Sequence, residues 1–239
     1  MQSLSSLRCG LATALLACAA CCIASSAWAF PPYRSTDADT ADPGTLEVRL
    51  GLVGIAREDQ DNTYASPLLR INLGLPRSFE LVSEFAYLPE EERVGDAAVG
   101  FKWIPLRRSF SVGVETLALL PVSSDDDGAG VESQLLATFG EDPLRLHLNA
   151  GGFYDARPAD AEHGWRASAL AEYQWGRFRP GLEFFAKQVE SESVRVEAGP
   201  GIIIQVGPID LRTALHVGLT REAPDLIGSF WLSWKWPIW

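Results

Sequence analysis

From Thr45 onward the chain breaks into segments of about ten residues in which apolar and polar side chains alternate, the period-two signature of strands whose two faces meet different surroundings. The clearest runs from Ile209 to Thr220. Ile209, Leu211, Thr213, Leu215, Val217 and Leu219 share one face, and Asp210, Arg212, Ala214, His216, Gly218 and Thr220 share the other. The segment before it sets Val194, Val196, Ala198, Ile202, Ile204 and Val206 against Arg195, Glu197, Gly199, Gly201 and Gln205. Pro200 falls among the apolar set, where it costs a ladder hydrogen bond unless it marks a bulge or irregularity. Upstream, Ala97, Val99, Phe101 and Trp103 oppose Ala98, Gly100 and Lys102, and Leu144, Leu146, Leu148 and Ala150 oppose Arg145, His147, Asn149 and Gly151. Trp165, Ala167, Ala169, Ala171 and Tyr173 oppose Arg166, Ser168, Glu172 and Gln174. Twelve such segments start near residues 45, 67, 79, 96, 109, 131, 144, 164, 178, 193, 209 and 227. An even count is what a closed antiparallel barrel of the bacterial outer membrane requires.

The connections alternate in length and charge. Those after the second, fourth, sixth, eighth and tenth segments are short: Pro76 to Ser78, Pro105 to Arg108, Gly140 to Pro143, Trp175 to Arg177, and Gly207-Pro208. The intervening ones are mostly longer and acidic, carrying Glu58, Asp59 and Asp61; Glu90, Glu91 and Glu92; Asp125, Asp126 and Asp127; Asp155, Asp160 and Glu162; Glu190 and Glu192; Glu222 and Asp225. Short periplasmic turns and longer outer loops are the sorting expected of a barrel with both termini in the periplasm. A soluble β-sandwich also has alternating strands, but it has no reason to sort its loops by side. The aromatics separate the two further, since Phe101, Trp103, Trp165, Tyr173, Phe184, Phe230, Trp234 and Trp236 fall on apolar faces, many near segment ends, as interfacial girdles do. The expected fold is all-β, a closed antiparallel up-and-down transmembrane β-barrel of about 12 strands.

The N-terminus supplies the export route. Residues 1–29 read as a secretory signal, with Arg8 as the basic region, an apolar run from Leu11 to Ile23, and a small-residue cleavage site at Ala27-Trp28-Ala29. Leu15-Leu16-Ala17-Cys18 also fits a lipoprotein cleavage box, although it leaves an apolar run of only about 8 residues. No stretch approaches the ~18 consecutive apolar residues of a spanning helix, which excludes a helical membrane protein. All four cysteines, Cys9, Cys18, Cys21 and Cys22, lie inside the signal. A chain starting at Phe30 therefore has no disulfide, thiolate metal site or cysteine nucleophile. The whole sequence carries a net charge of −11, and losing Arg8 makes the mature chain still more acidic, the wrong field for nucleic acid. Residues 30–44, with Asp37, Asp39 and Asp42, form a periplasmic N-terminal arm ahead of the barrel at 45–239. The position and length of the arm also allow it to fold into the lumen as a plug.

Several stretches, in their order along the chain, carry a resemblance. They are Pro32-Tyr33-Arg34-Ser35-Thr36-Asp37-Ala38-Asp39-Thr40, Pro43-Gly44-Thr45-Leu46-Glu47, Val94-Gly95-Asp96-Ala97-Ala98-Val99-Gly100-Phe101-Lys102-Trp103, Leu119-Leu120-Pro121, Leu148-Asn149-Ala150-Gly151-Gly152, Gly218-Leu219-Thr220 and Ala223-Pro224-Asp225. Over residues 31–236 the chain resembles the outer-membrane barrel proteins grouped as components of the meta-pathway of phenol degradation and described as transporter-like. The resemblance implies passive movement of small hydrophobic or aromatic molecules, and it brings no catalytic or ligand residues. The C-terminus departs from the usual pattern. Trp236 takes the place of the terminal aromatic that the barrel assembly machinery reads, and Pro237-Ile238-Trp239 extends beyond it with Trp239 on the opposite face.

The polar faces bring Glu47, Arg49, Arg70, Glu80, Glu84, Lys102, Glu115, Glu132, Arg145, Arg166, Glu172, Arg179, Glu183, Lys187, Arg195, Glu197, Asp210 and Arg212 into one lumen with acids and bases nearly balanced. They either pair into a filled interior that holds the barrel's shape or line a narrow polar passage and set its selectivity. A catalytic barrel needs a nucleophile beside a base, and no serine stands two positions after His147, His163 or His216. His147 and His216 read as satisfied lumen residues, and His163 sits at a loop edge. The acidic loops suit divalent cations and lipopolysaccharide in their chemistry, but Asp125-Asp126-Asp127-Gly128 lacks the spacing of a calcium loop, so no metal, cofactor or catalytic residue is assigned. The expectation is an outer-membrane barrel in contact with lipids and lipopolysaccharide, inserted by the barrel assembly machinery, that passes a small-molecule solute. The alternative is a non-conducting barrel that supports the envelope or binds a partner.

Overall fold

The computed structural model describes residues 32–58, 61–90, 92–122, 128–158, 160–190 and 192–239. The signal, Asp59, Glu91 and the Asp125 to Asp127 run lie outside the described residues. The strands are β1 (Thr45–Glu58), β2 (Asp61–Ala65), β3 (Leu68–Leu75), β4 (Phe79–Leu88), β5 (Arg93–Arg107), β6 (Phe110–Leu119), β7 (Gly130–Phe139), β8 (Leu144–Asp155), β9 (Glu162–Tyr173), β10 (Phe178–Val189), β11 (Arg195–Val206), β12 (Ile209–Gly218) and β13 (Leu226–Pro237).

These strands make twelve staves. The first half of β1 pairs with β3, from Leu46 opposite Leu73 to Gly51 opposite Leu68, and its second half pairs with β2, from Gly54 opposite Ala65 to Glu58 opposite Asp61. β2 and β3 are therefore one stave interrupted at Ser66-Pro67, where proline has no N–H to give to a ladder. Ser66 N–H donates to Tyr87 O, and Tyr87 N–H donates to Pro67 O, which carries the contact with β4 across the break. From β3 onward each strand pairs antiparallel with the next, and β13 returns to β1 from Pro237 opposite Thr45 to Leu226 opposite Arg57. Closure through β13 and β1 gives nearly every stave a strand partner on both sides, the condition for crossing a bilayer with strands; β2 alone pairs on one side, with β1, among the described strands.

Each expected segment falls on a stave, with three local differences. The second stave begins at Asp61, because the residues before Pro67 also pair with β1. The turn expected at Pro105 to Arg108 shrinks, since β5 continues to Arg107 through an irregularity between Trp103 and Leu106 that absorbs Pro105. Pro200 causes no bulge. The β10 register runs through it unshifted, with Pro200 opposite Leu182, while the pairs to β12 lapse at Gly199 and Pro200 and resume in the same register at Gly201.

The burial pattern is the reverse of a soluble protein's. Outward side chains are apolar and exposed, as with Leu135 at 66% and Phe184 at 51%, whereas inward ones are charged and buried, as with Arg70 at 1% and Glu115 at 2%. This is the arrangement of a barrel whose outside faces lipid. Aromatic side chains gather at the short-turn end, where Phe79 and Phe101 stack at 5.2 Å, Phe110 and Phe139 at 5.9 Å, and Trp234 meets Trp236 edge-on at 5.3 Å. Tyr154 and Trp165 are exposed on the outer face toward the other end. Beyond β13, Ile238 N–H donates to Gly44 O at 2.7 Å, and Trp239 lies against Gly44.

Candidate functional site

Strand alternation turns Arg49, Arg70, Glu80, Glu84, Lys102, Glu115, Arg145, Arg166, Glu172, Glu183, Arg195, Glu197 and Arg212 inward, but they do not form one field. One group is satisfied by the wall itself. Arg70 on β3 donates to Glu115 on β6 at 2.7 Å, to Glu84 on β4 at 2.8 Å and to Asn72 at 3.2 Å. Gln134 on β7 adds a bond to Glu115 at 3.1 Å, and Arg166 on β9 meets Glu132 on β7 at 2.8 Å. A second wall group joins β1, β12 and β13, with Glu47 accepting from Arg49 at 2.9 Å, from Arg212 at 3.2 Å and from Ser233 at 2.9 Å. Arg195 stands apart. Its side chain is one-third exposed and pairs with Glu192 in the adjoining loop at 3.1 Å.

The remaining charges face the N-terminal arm. Residues 32–42 take the second of the two placements open to the arm, inside the barrel as a plug and not on the periplasmic side, and lumen side chains take up their backbone amides one after another. Arg34 N–H donates to Glu183 at 2.8 Å, Ser35 N–H to the same carboxylate, Thr36 N–H to Asn149 at 2.8 Å, Ala38 N–H to Thr138 at 2.8 Å and Ala41 N–H to Glu80 at 2.6 Å. Asn149 also returns a bond to Thr36 O at 2.9 Å. The Arg34 guanidinium reaches Glu197 through Nε at 3.2 Å and Nη2 at 3.1 Å, and it lies 4.8 Å over the Phe185 ring. Lys102 contacts Asp37 Oδ1 at 3.3 Å and Asp39 O at 3.1 Å, while Arg145 pairs with Asp39. The apolar residues of the arm find apolar wall, Tyr33 among Leu170, Ile203 and Ala214, and Ala38 beside Ile104 and Leu136.

Electrostatics follow from this packing. Desolvation alone would raise the Asp37 carboxyl, but Lys102, and after it His147, Arg49 and Arg145, outweigh burial and hold it well below the ordinary carboxylate range. The Tyr33 phenol is pushed well above its usual value by burial, then by the Glu172 and Glu183 carboxylates, so it stays protonated. The histidines are tied in as well. His147 sits 2.9 Å from Thr138 Oγ1 and 3.1 Å from Glu172, and His216 lies 2.8 Å from Glu183. His163 pairs with Glu190 at the loop edge. Glu183 stands between Ser35 and His216, so that imidazole is not placed to take the serine proton. Among the described residues no group of three or more His, Cys, Asp or Glu is placed to hold a metal ion.

A cavity of about 430 Å³ remains at the short-turn end, lined among others by Asp37, Asp39, Arg49, Lys102, Arg145 and Arg212. The candidates drawn from the strands omit the neutral half of this site. Asn149 and Thr138 are inward residues passed over because they carry no charge, and Tyr33 to Thr36 stood in the sequence as part of the arm and the opening of a family-like stretch, with no partner assigned.

No family model matches the chain, and no curated protein does. Among solved structures it is similar to the KdgM porin, with a TM-score of 0.57 and 12% identity over 80% of this chain and 98% of that one. It is likewise similar to the NanC porin, with a TM-score of 0.59 and 12% identity over 79% of this chain and 97% of the other. The chain shares the fold of these porins.

Proposed function

We propose that this chain is an outer-membrane barrel for passive passage of small molecules, with the inward charges of the staves setting which solutes pass. The observation that carries the reading is the pairing of a closed, lipid-compatible exterior with a charged interior that keeps a cavity of about 430 Å³ at one end. That volume lies in the range of about 300–1,000 Å³ that small-molecule sites occupy. The two structural neighbours are porins by name, which supports a channel. The family resemblance favours hydrophobic or aromatic solutes, and the charged cavity lining adds a preference for those with a polar end. In this reading the outer belt meets outer-membrane lipids, the acidic loops face lipopolysaccharide, and the assembly machinery inserts the chain after export.

One observation favours the alternative of a non-conducting structural or partner-binding barrel, namely the arm lying across the lumen. Flux separates the two. Residues 30–239 refolded in detergent and inserted into liposomes are expected to admit small phenolic compounds, sugars or ions selectively above empty vesicles. A heat-modifiable, inserted barrel without flux for any of them would support the alternative.

A further inference from the structure

The wall is cut to the shape of the arm. Gly181 on β10 and Gly201 on β11 are register partners, and both point inward where Tyr33 lies. A Cβ added to Gly181 would come 2.5 Å from the Tyr33 hydroxyl oxygen, and one added to Gly201 would come 2.5 Å from the Tyr33 ring. Both distances are far inside van der Waals contact, so an alanine at either position would collide with the docked ring. At the base of the arm, a Cβ on Gly74 of β3 would overlap the backbone of Ala41 and Asp42. Glycine weakens a strand interior, and here its placement makes room for another backbone or ring. Next to the notch, Glu183 accepts two successive arm amides and the Ser35 hydroxyl, and Glu197 takes the Arg34 guanidinium through two nitrogens. A segment merely trapped in a pore has no need of a matched notch, two carboxylates and a run of side-chain acceptors on β4, β7, β8 and β10.

We infer that the lumen contains a peptide-binding seat whose ligand is residues 32–42 of this same chain, docked reversibly through Tyr33 and Arg34, and that undocking clears the passage. The inference rests on the passage reading only in its last clause. Reversibility follows from how the seat is satisfied. The Tyr33 hydroxyl and Thr36 Oγ1 are buried and have no hydrogen-bond partner among the described residues, and each is a polar group that regains water on release. The Arg34–Glu197 pair is buried, so much of its attraction is offset by desolvation that release also recovers, and the Asp37 and Asp39 carboxylates that meet Lys102 and Arg145 stay partly exposed, where an ion pair adds little. Docking is helped instead by the tether at Gly44, which keeps the arm at high effective concentration beside its seat. A modest net affinity on a short tether describes a plug that exchanges.

Cysteine accessibility tests this, because all four native cysteines precede residue 30. Ala38, on the arm, is fully buried against Ile104 and Leu136 of the wall, and a cysteine there reports docking. In the mature chain carrying Ala38→Cys, refolded into liposomes and checked for heat-modifiability, a small maleimide is expected to react on the order of a hundredfold more slowly than with an exposed loop cysteine. Adding Tyr33→Ala and Arg34→Ala should speed that reaction at least about tenfold. Reaction at the loop rate in the otherwise unaltered chain, or a slow rate that the two arm substitutions leave unmoved, would overturn the seat. Flux read from the same vesicles should rise with the labelling rate. Labelling that responds while flux stays absent would keep the seat and remove the passage.

Discussion

The lumen holds two kinds of buried charge, and the difference lies in who supplies the partner. Around Arg70 the wall satisfies itself, with Glu84, Glu115, Asn72 and Gln134 all coming from strands locked in one closed sheet. Around Glu183, Glu197, Lys102 and Arg145 the wall supplies a part, through His216 and Glu80, and the other partners come from an arm joined to the wall covalently only at its Thr45 end. The first group cannot separate without distorting staves. The second can separate by moving one segment, which leaves the barrel's hydrogen-bond ladder intact. Filled interiors that look alike by composition are thus a fixed strut in one region and an exchangeable occupant in the other.

Removing the strut should produce the largest effect. Arg70→Leu leaves Glu84 and Glu115 without their common cation in a site where Arg70 is 1% exposed, and breaking such a buried pair typically costs about 3–5 kcal/mol. Urea unfolding of the barrel in lipid should show that loss, while labelling at a cysteine in place of Ala38 stays slow as long as the barrel is folded. Replacing Glu115 with leucine in the same chain removes one stranded carboxylate and should recover part of the stability. A change that freed the arm as strongly as it weakened the wall would erase the distinction between the two regions.

Filling the notch should do the reverse. Gly201→Ala adds one methyl that comes 3.0 Å from the Ala214 side chain on β12, a wall contact relieved by a few tenths of an ångström, so the wall should change by less than about 1 kcal/mol. The added bulk meets the Tyr33 ring, and overpacking of this kind costs about 1–3 kcal/mol, equivalent to a labelling rate roughly five- to a hundredfold faster. Unfolding and labelling measured on one sample would expose the split. Arg34→Lys is a milder form of the same test. It keeps the charge near Glu197 but loses the two-nitrogen fork and the flat stacking over Phe185, and about 1 kcal/mol of docking, near fivefold in labelling, should go with it.

The barrel was legible in the sequence because its cause is local. Alternation along Ile209 to Thr220 or Leu144 to Gly151 follows directly from lipid on one side and lumen on the other, and every stave repeats it. The break at Ser66-Pro67 and the extension of β5 past Pro105 were not, because each depends on how a proline's missing N–H is absorbed by a neighbouring strand. Inward charges were legible one by one, but their partners were not. Arg70 and Glu115 are 45 positions apart and Arg34 and Glu197 are 163 apart, and no period links either pair. Gly181 and Gly201 were the least legible, since a glycine in a strand signals close approach without saying by what.

The smallest effect concerns Asp37 and acts through pH. In the docked arm its carboxyl is held well below the ordinary range, chiefly by Lys102 working against burial, and in a released arm it returns to about 3.9. A group whose value is lowered on docking stabilises the docked state at every pH above its free value and loses that contribution as the pH falls below it. The difference in labelling between the Ala38→Cys chain and the same chain with Asp37→Asn should therefore be constant from about pH 8 down to 5 and shrink below about pH 4. Taking the difference cancels whatever His147, His216 and Glu183 do in both chains. A difference that faded between pH 7 and 5 would mean that the ion pair with Lys102 forms only when some other group near the arm is charged, and the boundary between fixed wall and exchangeable arm would then run through that group as well.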